Sequence, residues 1–136
     1  MVKIDYSQDR DLIEITVVGQ VQFNDIRETF MEIGSRFSHK KNLYVITDYT
    51  NGSIKPNPGF LVVNLDKAKK LFSVFFAPFE NFYNAYVFTE DSQGTKVIIE
   101  QFTKITKDIN MFRSEFFSSR QEAEDWIYQM QNNHTS

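Results

Sequence analysis

Phe112 to Met130 reads FRSEFFSSRQEAEDWIYQM, and two periods meet inside it. The strand pattern covers Met111 to Phe117: Phe112 and Phe116 alternate with Arg113 and Glu115, the period of a strand whose two faces differ. Beyond it the apolar residues fall at Ala123, Trp126, Ile127 and Met130, one stripe of a helix. Ser119 and Glu122, between the two patterns, fit a capping box in which each side chain satisfies a backbone donor at a helix start. The charged face predicts a strand near the edge of a sheet. The stripe predicts a closing helix docked on that sheet through Trp126, whose indole N–H then needs a partner or solvent.

The preceding sequence repeats this strand-and-helix alternation. Tyr83 to Thr89 (YNAYVFT) reads as a strand, EDSQGT as a turn, and Lys96 to Lys107 as a helix with Ile98, Phe102 and Ile105 on one stripe. Phe60 to Phe76 reads as a helix carrying Leu61, Leu65, Ala68 and Phe72 on one face, stopped or kinked by Pro78. Leu43 to Tyr49 (LYVITDY) has the make-up of a central strand buried on both faces, and TNGSIKPNPG after it carries loop signals. Asn24 is placed to cap a helix with Ile26, Phe30, Ile33 and Phe37 on its buried stripe. At the N-terminus, Val2, Ile4 and Tyr6, then Ile13, Ile15 and Val17, alternate on either side of SQDRD, an antiparallel hairpin whose second strand Gly19 ends or bends.

The element order β-β-α-β-α-β-α-β-α predicts a single α/β domain. Its sheet is mixed and mostly parallel, of about five strands with an N-terminal β-hairpin, and about four helices cover it. The domain is expected to span residues 1–130, with a polar tail at 131–136. Fourteen Phe and six Tyr supply most of the apolar bulk, so the core is built from few, large pieces. The absence of Cys removes disulfides, thiol nucleophiles and cysteine metal sites. A net charge of −3 with scattered cations argues against nucleic acid as a partner. No apolar run has the length of a membrane span, and MVKIDYSQDRD does not resemble a signal peptide, so a cytoplasmic location is expected.

Three stretches carry a family likeness. GQVQFNDIRETF looks like a second strand followed by a helix capped after an aromatic. NAYVFTEDSQGTKVIIEQF looks like a late strand, short turn and helix, and FRSEFFSSRQEAEDWI like a final strand and closing helix with an E-A-x-x-W pattern. Together they resemble the STAS superfamily, more closely its SpoIIAA-like (STAS/SEC14-like) branch, over nearly the whole chain. The resemblance implies a small α/β domain serving as a regulatory or interaction module and not as an enzyme. In anti-sigma-factor antagonists of that family, a Ser or Thr after the central strand is phosphorylated by a partner kinase. The corresponding region here, ITDYTNGSIKPNPGF, places Asp48 at the acidic position and Thr50 or Ser53 near the phosphoacceptor, but it lacks the D-S-S-G-type signature and inserts two prolines.

Each candidate residue also has a plainer reading. Asp48, expected at a strand end, either orients a ligand or cation or caps the following loop. Thr50 and Ser53 either accept a phosphate or serve as turn residues. His39 and His134 lie in polar segments with no neighbouring triad or metal partner, Glu28 and Glu32 suit a solvated helix face, and Gly94 stands alone without a phosphate-loop pattern. No catalytic residue, cofactor or metal is expected. Phe72, Phe75, Phe76, Phe79 and Phe82 cannot all share one helix face. They predict a core filling, an interface with another protein or a second copy (a homodimer), or the wall of a lipid or other apolar-ligand site, with Lys67, Lys69 and Lys70 as headgroup contacts.

Overall fold

The computed structural model describes residues 1–55, 70, 73–74, 76–106 and 112–135. Its elements are β1 (Val2–Ser7), β2 (Leu12–Val21), α1 (Phe23–Arg36), β3 (Asn42–Ile54), β4 (Asn81–Val87), a 3₁₀ turn (Glu90–Ser92), α2 (Gln93–Thr106), β5 (Phe112–Phe117) and α3 (Arg120–Thr135). The strands form one five-stranded sheet in sequential order, β1-β2-β3-β4-β5. β1 and β2 pair antiparallel, and every later neighbour pairs in parallel. The expected α/β class, hairpin and mixed sheet are all present. Three α-helices are described; of the helix expected over 60–76, only Lys70, Ser73, Val74 and Phe76 lie among the described residues, and the first three are helical.

The two faces of the sheet are covered differently. Ile13, Ile15 and Val17 of β2, Leu43, Val45 and Tyr49 of β3, and Phe82 and Tyr86 of β4 form one cluster with Ile26, Phe30 and Ile33 of α1 and Ile99 and Phe102 of α2. The opposite face joins Tyr44, Ile46, Tyr83, Ala85 and Val87 to Ala123 and Ile127 of α3. A chain that adds parallel strands steadily in one direction puts its crossovers on one face when all share the right-handed turn. α1 and α2 lie on one face accordingly, and α3, after the last described strand, covers the other.

Local chemistry explains the element ends, with several corrections. Gln22, not Asn24, precedes α1, and its N–H donates to Asp25 Oδ2 at 2.9 Å. Asn24 lies inside the first turn and donates to Glu28 instead. Phe37 caps the C-terminal end of α1 with the expected stripe of Ile26, Phe30 and Ile33 buried beside it. α2 starts three residues before the expected Lys96, and its buried stripe runs through Thr95, Ile99 and Phe102 with Ile98 only partly covered, while the side chain of Ile105 lies outside the described residues. Ser119 caps α3, but only half of the expected box forms: Glu122 N–H donates to Ser119 Oγ at 3.3 Å, while the Glu122 carboxylate accepts the Ser119 hydroxyl at 3.1 Å in place of a backbone N–H. α3 also runs through the boundary expected at residue 130, because Gln131 donates to the carbonyls of Arg10 and Asp11 and ties the helix to the β1–β2 turn.

Candidate functional site

Asp48, Thr50 and Ser53 lie on one strand. The loop expected from Thr50 is instead the second half of β3, which pairs with β2 as far as Ile54 opposite Val21. Thr16 faces Asp48 but Val18 faces Asn51, so β3 carries an extra residue at this point, a β-bulge. Asp48 Oδ1 accepts the Thr50 N–H at 2.8 Å, satisfying a backbone donor where the ladder is interrupted. Asp48 is therefore inside a strand and not at its end. Thr50 is exposed and Ser53 partly so. The end of β3 is held by two further bonds, from Ile54 N–H to Thr95 Oγ1 at 3.1 Å and from Lys55 N–H to Val21 O at 2.8 Å. Because the strand order never reverses, the described sheet has no topological switch point, the crevice in which open α/β sheets commonly bind ligands.

The other carboxylate oxygen of Asp48 belongs to a charged patch that periodicity could not reveal. Arg120, the first residue of α3, reaches Glu14 Oε1 at 2.8 Å, Asp48 Oδ2 at 3.6 Å and, through Nε, Glu124 Oε1 at 3.4 Å. The Nε–Glu124 approach is an ion pair without hydrogen-bond geometry. Arg10, from the β1–β2 turn, contacts Glu14 and Glu124 as well. Partial burial would lower the Arg120 pKa, but Glu14, Glu124 and Asp48 outweigh it and raise the value above the ordinary one. A cation at the positive end of a helix is normally unfavourable; here three acids compensate. The patch also relieves Asp5 and Glu14, like charges directly opposite each other across β1 and β2.

The aromatic candidates divide. Phe76, Phe79 and Phe82 are in the core, at 0%, 3% and 1% exposure, so none presents a surface for docking. Phe76 meets Phe82 and Phe112 edge-on with centroids 5.2 Å apart, while Phe79 packs at 5.8 Å from Phe76. The enclosed space beside Phe82, bounded also by Phe30, Tyr86 and Phe102, is about 10 Å³. That is at most room for one water, far below the few hundred Å³ of a ligand pocket. Phe72 and Phe75 lie outside the described residues, as do Lys67 and Lys69, and Lys70 is exposed. His39 lines an open polar groove with Lys40 and the β1–β2 turn, and the side chain of His134 is outside the described residues. Among the described residues there is no cluster of His, Asp and Glu fit to hold a metal, and no helix long and apolar enough to cross a membrane.

A different surface is open. β5 pairs with β4 alone among the described strands, so its second side is a sheet edge, as its charged face predicted. Beside that edge runs a groove of about 520 Å³, walled by Lys104 of α2, by Phe112, Arg113 and Glu115 of β5, and by Trp126 and Met130 of α3. Trp126 performs its expected anchoring from the rim: its ring meets Tyr83 edge-on at 6.1 Å and Phe117 at 5.9 Å while remaining partly exposed.

No protein-family model matches the chain, and no curated protein does. Among solved structures, the chain is similar to an uncharacterized protein of the DUF3478 family with a SpoIIAA-like fold from Shewanella loihica PV-4. The TM-score is 0.50 at 15% identity, over 93% of this chain and 92% of the other. The fold is SpoIIAA-like. Thr50 and Ser53, expected in a loop, lie instead in the bulged second half of β3.

Proposed function

We propose that the chain is a non-enzymatic, cytoplasmic protein-interaction module of the STAS/SpoIIAA-like type, and that it docks an extended protein segment along the open edge of β5. The docking surface expected from the sequence is the aromatic stretch at 60–83. The burial of Phe76, Phe79 and Phe82 moves the proposal to β5. One observation carries it: a regular strand paired on one side only among the described strands, next to a groove that offers both charge (Lys104, Arg113, Glu115) and apolar surface (Trp126, Met130). Adding a strand to such an edge supplies affinity through main-chain bonds and specificity through alternate side chains. A carrier of lipid or another apolar molecule is the weaker reading, because the described rings close on one another. Any regulation by phosphate falls to Thr50. It is exposed, and a phosphate there would compete with Asp48 for Arg120.

A photoreactive residue at position 130, partly exposed on the wall of the groove, tests this in the producing cells, with one at position 18, exposed on β2, as the control. Protein adducts at 130 and not at 18 are expected. No adduct at 130, or the same adducts at both positions, overturns the edge-docking reading.

A further inference from the structure

The geometry points to a second copy of this chain as the docked strand, paired antiparallel to β5 in the register that sets Ser114 against Ser114; this rests on the edge-docking reading above. Residues along a strand in a parallel ladder alternate in the direction of their N–H and C=O groups. The Phe117 carbonyl accepts the Phe88 N–H at 3.0 Å, so Phe117, Glu115 and Arg113 turn their backbone groups toward β4. Ser114 and Phe116 therefore turn theirs toward the open side. A two-fold antiparallel pair must set outward-turned residues against outward-turned residues, which within this short strand leaves registers centred on Arg113, Ser114 or Glu115.

Charge chooses among them. The first register sets Arg113 against Arg113, and the last sets Glu115 against Glu115, each destabilising across a strand pair. The central register sets each Arg113 against Glu115 of the other copy. These fall at the non-hydrogen-bonded positions, where Cα atoms approach to about 4.5 Å and side chains are closest. The same register gives the two Ser114 residues a reciprocal pair of N–H···O bonds. On the other face it brings Phe112 over Phe116 of the second copy, a cross-strand ring pair. The sequence R-S-E is thus self-complementary about its centre, as an isologous contact requires. The two-fold axis is perpendicular to the sheet, so both copies keep the same face upward. The two sheets then continue as one, with Trp126 and Met130 of each copy at the rim of the joint.

Charge reversal tests the register on the full chain by sedimentation and native mass spectrometry. The wild type is expected as a dimer. Arg113→Glu and Glu115→Arg singly should each raise its dissociation constant about tenfold or more, from two attractive pairs turned repulsive. The double variant Arg113→Glu/Glu115→Arg restores the same pairs inverted and should restore the dimer. A dimer indifferent to both single reversals, or a double variant no better than either, overturns the register. The photoadducts at position 130, outside the paired strand, separate this from the parent reading. Adducts of twice the chain mass support self-pairing. Adducts only with other proteins overturn self-pairing and leave edge docking standing. A monomer without adducts overturns both, and the alternating charges then serve only to keep the edge solvated.

Discussion

Gly52 sits where β3 passes closest to β2. A Cβ on it would lie 2.3 Å from the Val17 carbonyl oxygen and 2.7 Å from Val17 Cγ1, and the first of these is backbone that cannot rotate away. Gly52→Ala must push the bulged half of β3 off its partner, at an expected cost of about 2 kcal/mol or more. Gly94, in the first turn of α2, is the control, because a Cβ added there would meet nothing within 4 Å. Gly94→Ala should be neutral or stabilise by up to about 1 kcal/mol, since Ala is the better helix former. Urea denaturation of both variants checks the pair, and equal effects would show that the contact with Val17 does not constrain β3. Position 52 also shows what a one-letter reading misses. Asn51-Gly52 is a turn signal when the glycine supplies backbone freedom, yet here the glycine supplies space, and both uses have the same sequence.

At the scale of elements, periodicity is informative wherever one side-chain pattern answers one environment. β1, β2, α1 and β5 match their alternation or stripe, and the polar face of β5 anticipates its edge position. Elements defined by distant partners are harder to read. The second half of β3 is polar and looks like loop, but it is held as strand by pairing with Val18 to Val21. The buried bond from Thr47 Oγ1 to Asn84 Oδ1, 2.9 Å across β3 and β4, likewise joins residues far apart in sequence. The Arg120 patch is the fullest case, since α3, β2, β3 and the hairpin turn each contribute one or two charges that carry no local signal. Its side chains are between 18% and 41% exposed, so solvent screens every pair. Such pairs are worth about 0.2–1 kcal/mol each. Arg120→Met should therefore cost about 1 kcal/mol, mainly by leaving Glu14, Asp48 and Glu124 facing one another. Asp48→Asn added to it should recover part of that loss. A double-mutant cycle in urea at low and high salt measures this; the coupling should shrink as salt rises, and a salt-independent coupling would assign the effect to packing.

Across the whole molecule, the aromatic content becomes a pH dependence. The sheet buries three tyrosines whose hydroxyls resist ionisation. Burial, then Tyr83 and Asp11, raises Tyr44 to about 12. Burial and then Tyr86 raise Tyr49 well above its ordinary value, and burial alone raises Tyr86. For each, the folded state holds its proton more tightly than the unfolded chain, which titrates near 10. Below that pH both states are protonated and the stabilising difference is complete. Above it the unfolded state loses protons that the folded state keeps, so stability falls with rising pH, through about 12 for Tyr44 and up to their own raised values for the other two. The three rings should thus ionise by unfolding, and the tyrosinate absorbance of these residues should rise together with the loss of the circular-dichroism signal. Tyr49 has a further liability, because its hydroxyl is buried without a hydrogen-bond partner among the described residues while its ring stacks on Phe88 at 5.2 Å. Tyr49→Phe keeps the ring and removes the unsatisfied group, whose burial costs about 1–3 kcal/mol. The variant should gain stability at neutral pH and unfold at a higher pH than the wild type, with the gain widening above a pH of about 10 as Tyr49 no longer contributes to the proton release. A Tyr49→Phe chain that is less stable at neutral pH, or whose alkaline transition is unmoved, would show that the hydroxyl finds a partner and that the ring stack alone does not hold this part of the core.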